Sequence, residues 1–263
     1  MVEKMIENKK AQVTIFVIIA VLIIAAIALI FFFNNNPKIQ DMDPATNPQA
    51  YIRECFEKDV KETITKMLSQ SGYVFPEDQQ YSLLYNQTQI AFLCYSENEI
   101  ENCINLEPAL VSHFEKEVSS NTFGKLENCF SSLQRTLDKY GYNSESTEFS
   151  IDISPEQARM DIKKKITIGY GEDSRSFETF DFTFSSPAYK MLSLANTILN
   201  EEALSDCSIS NGNADIILLQ GKNLDLELSR FITGRNEKVY TVRDILSGQE
   251  FVFAVRNCVR LPQ

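Results

Sequence analysis

Six cysteines and a single histidine carry the most reactive side chains in this chain of 263 residues. Cysteines bind zinc when pairs of them have the C-x-x-C spacing, or when several histidines complete the ligand set. Neither condition is met here, so the sequence predicts disulfide bonds and no metal site. The cysteines are Cys55, Cys94, Cys103, Cys129, Cys207 and Cys258.

Two of the cysteines share a local pattern, since Cys55-Phe56 and Cys129-Phe130 both follow an aliphatic residue by one helical turn. This pattern places each thiol at the edge of the apolar face of a helix. Two packed helices can be bridged in that geometry, so we predict a disulfide between Cys55 and Cys129. Six cysteines allow other connectivities. The remaining predicted pairs are Cys94 with Cys103, which closes a short acidic loop, and Cys207 with Cys258, which ties a helix end to the C-terminus.

No arrangement of residues typical of an active site is found. The only histidine, His113, precedes Phe114 in a helical pattern, which predicts a solvated or partly buried side chain and no general base. The acidic runs Glu97–Glu101 and Glu201–Glu202 are interpreted as solvated faces of an acidic chain, and the lysines at 163–165 as the exposed edge of a strand. The chain has no G-x-S-x-G, H-E-x-x-H or phosphate-binding glycine loop. We therefore predict that the protein is not an enzyme and binds no cofactor.

An apolar segment near the N-terminus is predicted to span a membrane. Val13–Phe33 contains no charge, and Thr14 is its only polar residue. A helix of this length reaches roughly 31 Å, close to the thickness of the hydrocarbon core. Basic residues at positions 4, 9 and 10 precede the segment and acidic residues at 41 and 43 follow it. The positive-inside rule then places the N-terminus in the cytoplasm and the rest of the chain outside it.

Cysteine placement and charge agree with export of the chain beyond the span. All six cysteines follow Phe33, on the side where an oxidising compartment lets disulfides persist. Asn86-Gln87-Thr88 is a candidate N-glycosylation site. The formal charge is −11 for the whole chain and −12 beyond residue 12, and such a surface repels phosphate backbones. We therefore expect no nucleic-acid partner.

The chain divides into five predicted parts. Residues 1–12 form a cytoplasmic stub or leader, 13–33 the transmembrane helix, and 34–47 a polar tether with two prolines, in which Asp41 and Asp43 are solvated rather than calcium ligands. Residues 48–142 form a helical subdomain. Residues 143–263 form an antiparallel sheet with a crossing helix. The predicted fold class is α+β.

Caps and periodicity set the boundaries of the predicted elements. Asn47-Pro48 begins a helix that extends to about Ser71, with Gly72 at C′. A second helical region extends from about 108 to 137, with a break predicted at Asn121–Gly124. Alternation of period two then predicts strands around 149–153, 160–168, 180–184, 216–219, 224–228, 239–242 and 251–255. A helix opened by the Ser186 cap and Pro187 crosses this sheet and ends near Leu204.

Two local motifs resemble known archaeal surface proteins. Lys9-Lys10-Ala11-Gln12-Val13 resembles the class III signal of archaeal pilins and archaellins, and this resemblance implies cleavage between Ala11 and Gln12 by a prepilin peptidase. Phe16 would then occupy the fifth mature position, where type IV pilins often have glutamate. The helix that ends in Ser71-Gly72-Tyr73 behind the anchor resembles a group of uncharacterised single-span archaeal surface proteins. That resemblance implies a topology and no activity.

The leading functional interpretation is a single-pass, membrane-anchored extracytoplasmic protein that binds or scaffolds another molecule. Its partners would be the lipid bilayer, through Val13–Phe33, and an unidentified extracellular protein or glycan. The first alternative is a pilin-like subunit, cleaved after Ala11, that self-assembles through its apolar helix. The second alternative is an extracytoplasmic hydrolase that acts through carboxylates.

Overall fold

The structure is a computed structural model that describes residues 43–258 except 99, 205–224, 234 and 236. The described part is an α+β fold with three α-helices and eleven strands. Among the described residues, no helix has the length and apolar character needed to cross a bilayer. The predicted span, the leader, most of the tether and the predicted strand at 216–219 lie outside the described residues.

The helices are α1 (Pro48–Ser69), α2 (Leu110–Leu137) and α3 (Ala188–Leu204). The strands are β1 (Ser82–Tyr85), β2 (Thr88–Tyr95), β3 (Ile104–Asn105), β4 (Tyr142–Ser144), β5 (Glu148–Ile153), β6 (Gln157–Ile168), β7 (Arg175–Thr179), β8 (Phe182–Ser185), β9 (Leu226–Ile232), β10 (Lys238–Asp244) and β11 (Glu250–Arg256). The predicted strand at 180–184 corresponds to β8, which begins two residues later, and β7 was not predicted. The first four strands were not predicted.

Helix α1 begins and ends close to the predicted residues. The Asn47 side chain accepts a hydrogen bond from the Ala50 amide at 3.1 Å and caps the N-terminus. Two left-handed residues follow the helix, Ser71 with φ 62° and Gly72 with φ 87°. The Gly72 amide donates to the Met67 carbonyl at 2.8 Å. The residue at C′ is therefore Ser71, one position before the predicted glycine, because the C-cap is Gln70.

Helix α2 is continuous, so the break predicted at Asn121–Gly124 is wrong. The Thr122 hydroxyl donates to the Val118 carbonyl at 2.7 Å, and the Asn121 amide group donates to the Glu117 carbonyl at 2.8 Å. These polar side chains bond to their own helix, so they do not terminate it. Its buried face includes Phe114, Val118, Leu126, Phe130 and Leu133.

The strands form two sheets, where the sequence predicted one. In the first sheet, β6 is central, with β4 and β5 along one side and β7 and β8 along the other. The second has the order β1-β2-β11-β10-β9, with β3 also paired to β2. The first sheet is antiparallel throughout, whereas β2 and β11 pair in parallel, so the prediction of an entirely antiparallel architecture is wrong. The N-terminal β1–β2 hairpin supplies the strand that makes the second sheet mixed.

The parallel pair is completed by a side chain from the end of α1. The ladder between β2 and β11 shifts register between Ala254 and Val255. The buried Ser71 hydroxyl donates to the Val252 carbonyl at 2.9 Å and accepts from the Ala91 amide at 3.0 Å. One hydroxyl thus satisfies two buried backbone groups, one in each strand.

One hydrophobic core takes side chains from all three helices and from both sheets. The boundary predicted at residue 142 separates elements that share this core, because β1–β3 lie before it and β9–β11 after it. A smaller apolar cluster of Ile90, Phe92, Val239, Val252 and Ala254 lies apart from that core on the second sheet.

Candidate functional site

Two disulfides match the predicted pairs. Cys55 is bonded to Cys129 with a Cα–Cα distance of 5.9 Å, and Cys94 to Cys103 with 5.4 Å. The first joins α1 to α2, and the second closes the loop between β2 and β3. Cys258 is also disulfide-bonded. Its predicted partner Cys207 lies outside the described residues, as do Ala11 and Gln12.

Asn86 lies at the tip of the β1–β2 hairpin. Asn86 and Gln87 form its two-residue turn, both with positive φ, at 46° and 66°. This is the conformation that two-residue hairpins require, and asparagine tolerates it well. Both side chains are exposed. Glycosylation of Asn86 stays a prediction, and the turn leaves its amide accessible.

His113 belongs to a small polar cluster at the start of α2. Its ring centroid lies 4.5 Å from that of Tyr73, and its Nδ1 is 3.5 Å from a Glu107 carboxylate oxygen. The Tyr73 hydroxyl donates to the other oxygen of Glu107. Burial raises the pKa of Tyr73, and the adjacent carboxylate raises it further. The histidine is partly buried, within the range expected, and the cluster packs α2 against the segment that follows α1.

The lysines at 163–165 do not lie on an exposed sheet edge, because β6 is the central strand of its sheet. Alternation along β6 directs Lys163 and Lys165 to solvent, whereas Lys164 is only 7% exposed. Its Nζ donates to the Thr147 hydroxyl at 2.6 Å and lies 3.6 Å from a Glu127 carboxylate oxygen. The expectation of a sheet edge is thus wrong for all three lysines, and the expectation of exposure is wrong for Lys164, which is a buried cation paired with α2.

The acidic pair at 201–202 is also split by the fold. Glu201 is exposed as expected, whereas Glu202 is buried near the end of α3. The Lys238 ammonium lies 2.7 Å from one carboxylate oxygen of Glu202, the Tyr240 hydroxyl donates to the other, and the Asn257 amide group also donates, at 3.1 Å. The interpretation of this pair as a solvated face is therefore wrong for Glu202.

Burial and pairing act in opposite directions on Glu202. Burial alone raises the pKa of its carboxyl, but the Lys238 ammonium and the hydrogen bonds from Lys238, Tyr240 and Asn257 hold that pKa below its ordinary value. Burial and the same carboxylate raise the pKa of Tyr240. Asn257 extends the network, because its side-chain oxygen accepts from the Cys103 amide at 2.8 Å. Sequence reasoning missed this cluster because its members are distant in the chain.

These polar clusters have the contacts of structural sites. Their charged side chains are paired with each other, and none lines a groove described below. Among the described residues, no three histidine, cysteine or carboxylate side chains group as metal ligands would. At residues 97–101, Glu97 and Glu101 are exposed, and Glu97 accepts a hydrogen bond from the Tyr81 hydroxyl at 2.8 Å. Glu99 lies outside the described residues.

The candidate binding surface is a set of three adjoining grooves. The largest, about 1020 Å³, is lined by Gln157, Thr183, Ser185, Lys190 and Ser247, among others. It shares Ser247 with a groove of about 670 Å³ beside α1, and Gln157 and Thr183 with one of about 530 Å³ at the start of α1. Five basic and five acidic side chains line the three grooves, so this surface is balanced in charge although the chain is acidic. Comparisons of the chain with protein families, curated proteins and solved structures find no match.

Proposed function

We propose that the protein is anchored in a membrane by a single span and presents an extracytoplasmic domain that binds or scaffolds another molecule, without catalytic chemistry of its own. The observation that carries this proposal is the uncharged run Val13–Phe33, followed by a domain that holds all six cysteines. An apolar run of this length is typical of a transmembrane helix, and disulfides persist outside the cytoplasm. The two signals are independent and favour the same topology.

The grooves support a binding role. They lie on the surface of a disulfide-bonded fold, and the ionisable clusters of that fold are engaged in internal contacts. A groove lined by hydroxyl groups and by charges of both signs offers hydrogen bonds to a ligand. We therefore assign recognition to the groove surface and structural support to the buried clusters.

Protease treatment of intact cells tests the topology. A protease added outside should digest the domain after residue 47 and leave a short membrane-bound fragment that contains Val13–Phe33. A cytoplasmic protein of known location, probed in the same sample, controls for lysis. Protection of the domain in intact cells, with digestion after lysis, would overturn the proposal.

A pilin-like subunit is the second candidate function, and the pentapeptide Lys9-Lys10-Ala11-Gln12-Val13 favours it. The N-terminal peptide of the native protein, identified by mass spectrometry, separates the two candidates. A mature end at Gln12 supports processing, and an intact start supports the uncleaved anchor. Electron microscopy for filaments then tests assembly, because cleavage alone does not require polymerisation.

A further inference from the structure

The outer edge of β8 carries backbone groups that no neighbouring strand uses. The Phe180 amide donates to the Ile162 carbonyl at 2.9 Å, and the Ser186 amide to the Glu156 carbonyl at 3.2 Å. In an antiparallel ladder the residues that bond to a given neighbour alternate. Residues 182 and 184 therefore also bond to β6, and the backbone groups of Thr183 and Ser185 point away from it.

The two residues that carry those outward groups line the grooves. Thr183 lines two of the three grooves and Ser185 lines the largest. Within the described part of the chain, β8 pairs only with β6, and no turn or loop backbone hydrogen bond involves either residue. Two amides and two carbonyls, two residues apart, form the repeat that another extended backbone can match.

The edge of β8 is short, at four residues, but it lacks the charges and prolines that discourage strand addition. Charged side chains and prolines on an edge strand discourage pairing with another chain. The neighbouring β7 carries Arg175 and Glu178, and the Gln49 side chain covers its Thr179 carbonyl at 3.2 Å. The sequence of β8, Phe-Thr-Phe-Ser, has neither a charge nor a proline. Among the described residues, nothing pairs with this part of the edge.

Two cations beside the phenylalanine face of β8 indicate the kind of segment that would pair with it. On the face of β8 that carries its phenylalanines, the Arg53 guanidinium lies 6.0 Å from the Phe182 ring centroid and the Lys61 ammonium 5.0 Å from that of Phe184. Both cations share one carboxylate, that of Glu57. An acidic side chain on this face would supply the second negative charge.

We propose that the edge of β8 binds an extended acidic peptide segment of a partner protein, which adds as an antiparallel strand. Main-chain hydrogen bonds to Thr183 and Ser185 would give affinity, and carboxylates directed toward Arg53 and Lys61 would give specificity. This inference rests on the proposed binding function and names the class of its partner.

A peptide of alternating threonine and glutamate tests the proposal. In antiparallel pairing, residues opposite Thr183 share its solvent-facing side, so the threonines of an acetylated (Thr-Glu)4 peptide would direct their amides at β8 and its glutamates would face Arg53 and Lys61. Fluorescence anisotropy of the labelled peptide, with the full-length protein in detergent, should show saturable binding. N-methylation of the threonines should weaken binding more than about tenfold, and N-methylation of the glutamates should not.

Protein variants give a second, matched comparison. Thr183→Pro removes the outward amide and should reduce peptide affinity more than about tenfold, whereas Thr183→Ala retains that amide and should bind as the native protein does. Arg53→Glu combined with Lys61→Glu should transfer the preference to (Thr-Lys)4. Circular dichroism checks that each variant is folded, and the N-methylated peptides require no protein variant.

Three results would overturn the proposal. The first is that (Thr-Glu)4 does not bind at about 1 mM, and the second is that both N-methylated peptides lose binding equally. The third is a dimer, detected by sedimentation analysis, that Thr183→Pro abolishes. The last result would assign the edge to a second copy of the chain. Because the assay uses purified protein, its failure leaves the topology proposal intact, and a cytoplasmic location would overturn the topology alone.

Discussion

Glu202 shows how burial changes the role of a residue that the sequence presents as one of many acids. Its carboxylate is enclosed at the end of α3, and its partners come from β10 and from the C-terminal segment. Breaking such a pair leaves the other charge without its counter-ion, which costs more than the intact pair contributes. The network therefore matters to stability through the loss that any one substitution causes.

We expect Glu202→Gln to lower the free energy of unfolding by about 3 kcal/mol at neutral pH. The folded-state pKa of Glu202 is depressed, so the stability it contributes is present above the unfolded pKa of about 4.3 and is lost as pH falls through the folded pKa. Urea denaturation measured from pH 7 down to pH 3 should show a shallower acid loss in the variant. Glu201→Gln, at the exposed neighbour, is the control. An unchanged acid slope in the Glu202 variant would contradict the assignment.

Ser71 is the second residue whose role depends on the fold. Ser71→Ala removes the hydroxyl between β2 and β11, and so leaves the Ala91 amide and the Val252 carbonyl without it. We expect a loss of about 1–3 kcal/mol in the free energy of unfolding. Ser71→Gly also loses the hydroxyl but relieves the positive φ, so its comparison with Ser71→Ala separates the loss of the hydrogen bonds from the backbone strain. Equal stability of the alanine variant and the native protein would show that the bridge is dispensable.

Between elements, the disulfides differ in how much of the chain they constrain. Cys55 and Cys129 are separated by 74 positions, and Cys94 and Cys103 by 9. A longer loop loses more entropy when it is closed in the unfolded chain, so the predicted contributions are about 4 and about 3 kcal/mol. Double serine variants of each pair, compared by urea denaturation, should be ordered accordingly. A larger loss from the short loop would indicate that the native contacts of that loop, and not chain entropy, dominate.

Two glycines near α2 differ in what they contribute, because one lies inside the helix and the other in the turn that follows it. Gly124 lies inside α2, where an added Cβ would meet no atom within 4 Å, whereas a Cβ on Gly141 would lie 2.7 Å from the Tyr170 ring at a φ of +78°. We expect Gly124→Ala to raise the free energy of unfolding by about 0.5–1 kcal/mol, since alanine is the better helix former. Gly141→Ala should destabilise. Thermal denaturation of the two variants tests both signs, and destabilisation by Gly124→Ala would contradict a continuous helix.

The sequence predicts elements with strong local signals and fails where partners are distant. The Asn47 cap locates the start of α1, and the period-two pattern locates β5 and β6. The repeated Cys-Phe pattern identifies the disulfide between α1 and α2. The polar residues at Asn121–Gly124 wrongly predicted a helix break, because their side chains bond to their own helix. The prediction of an exposed Lys164 was also wrong, since a run of lysines does not reveal which of them faces the core.

For the whole molecule, one sheet is shared by segments from both ends of the described chain. The hairpin β1–β2 pairs through β2 with β11, and that parallel contact joins residues more than 150 positions apart. Such a contact leaves no periodic trace in the sequence, so two sheets were not predicted. The open edge of β8 was not predicted for a related reason, because it depends on which strands β6 takes as neighbours.

The oxidation state of the cysteines links this fold to the topology proposed for the whole chain. In the native protein, non-reducing peptide mapping should recover Cys55 linked to Cys129 and Cys94 linked to Cys103. A variant that lacks residues 1–33 loses the predicted span, so it should remain in the cytoplasm, where thiols are kept reduced, and the same four cysteines should react with an alkylating agent. Rapid acid quenching before alkylation prevents oxidation during lysis. If the truncated chain is fully oxidised in the cytoplasm, its disulfides no longer support export. Reduced cysteines in the native protein would contradict export itself.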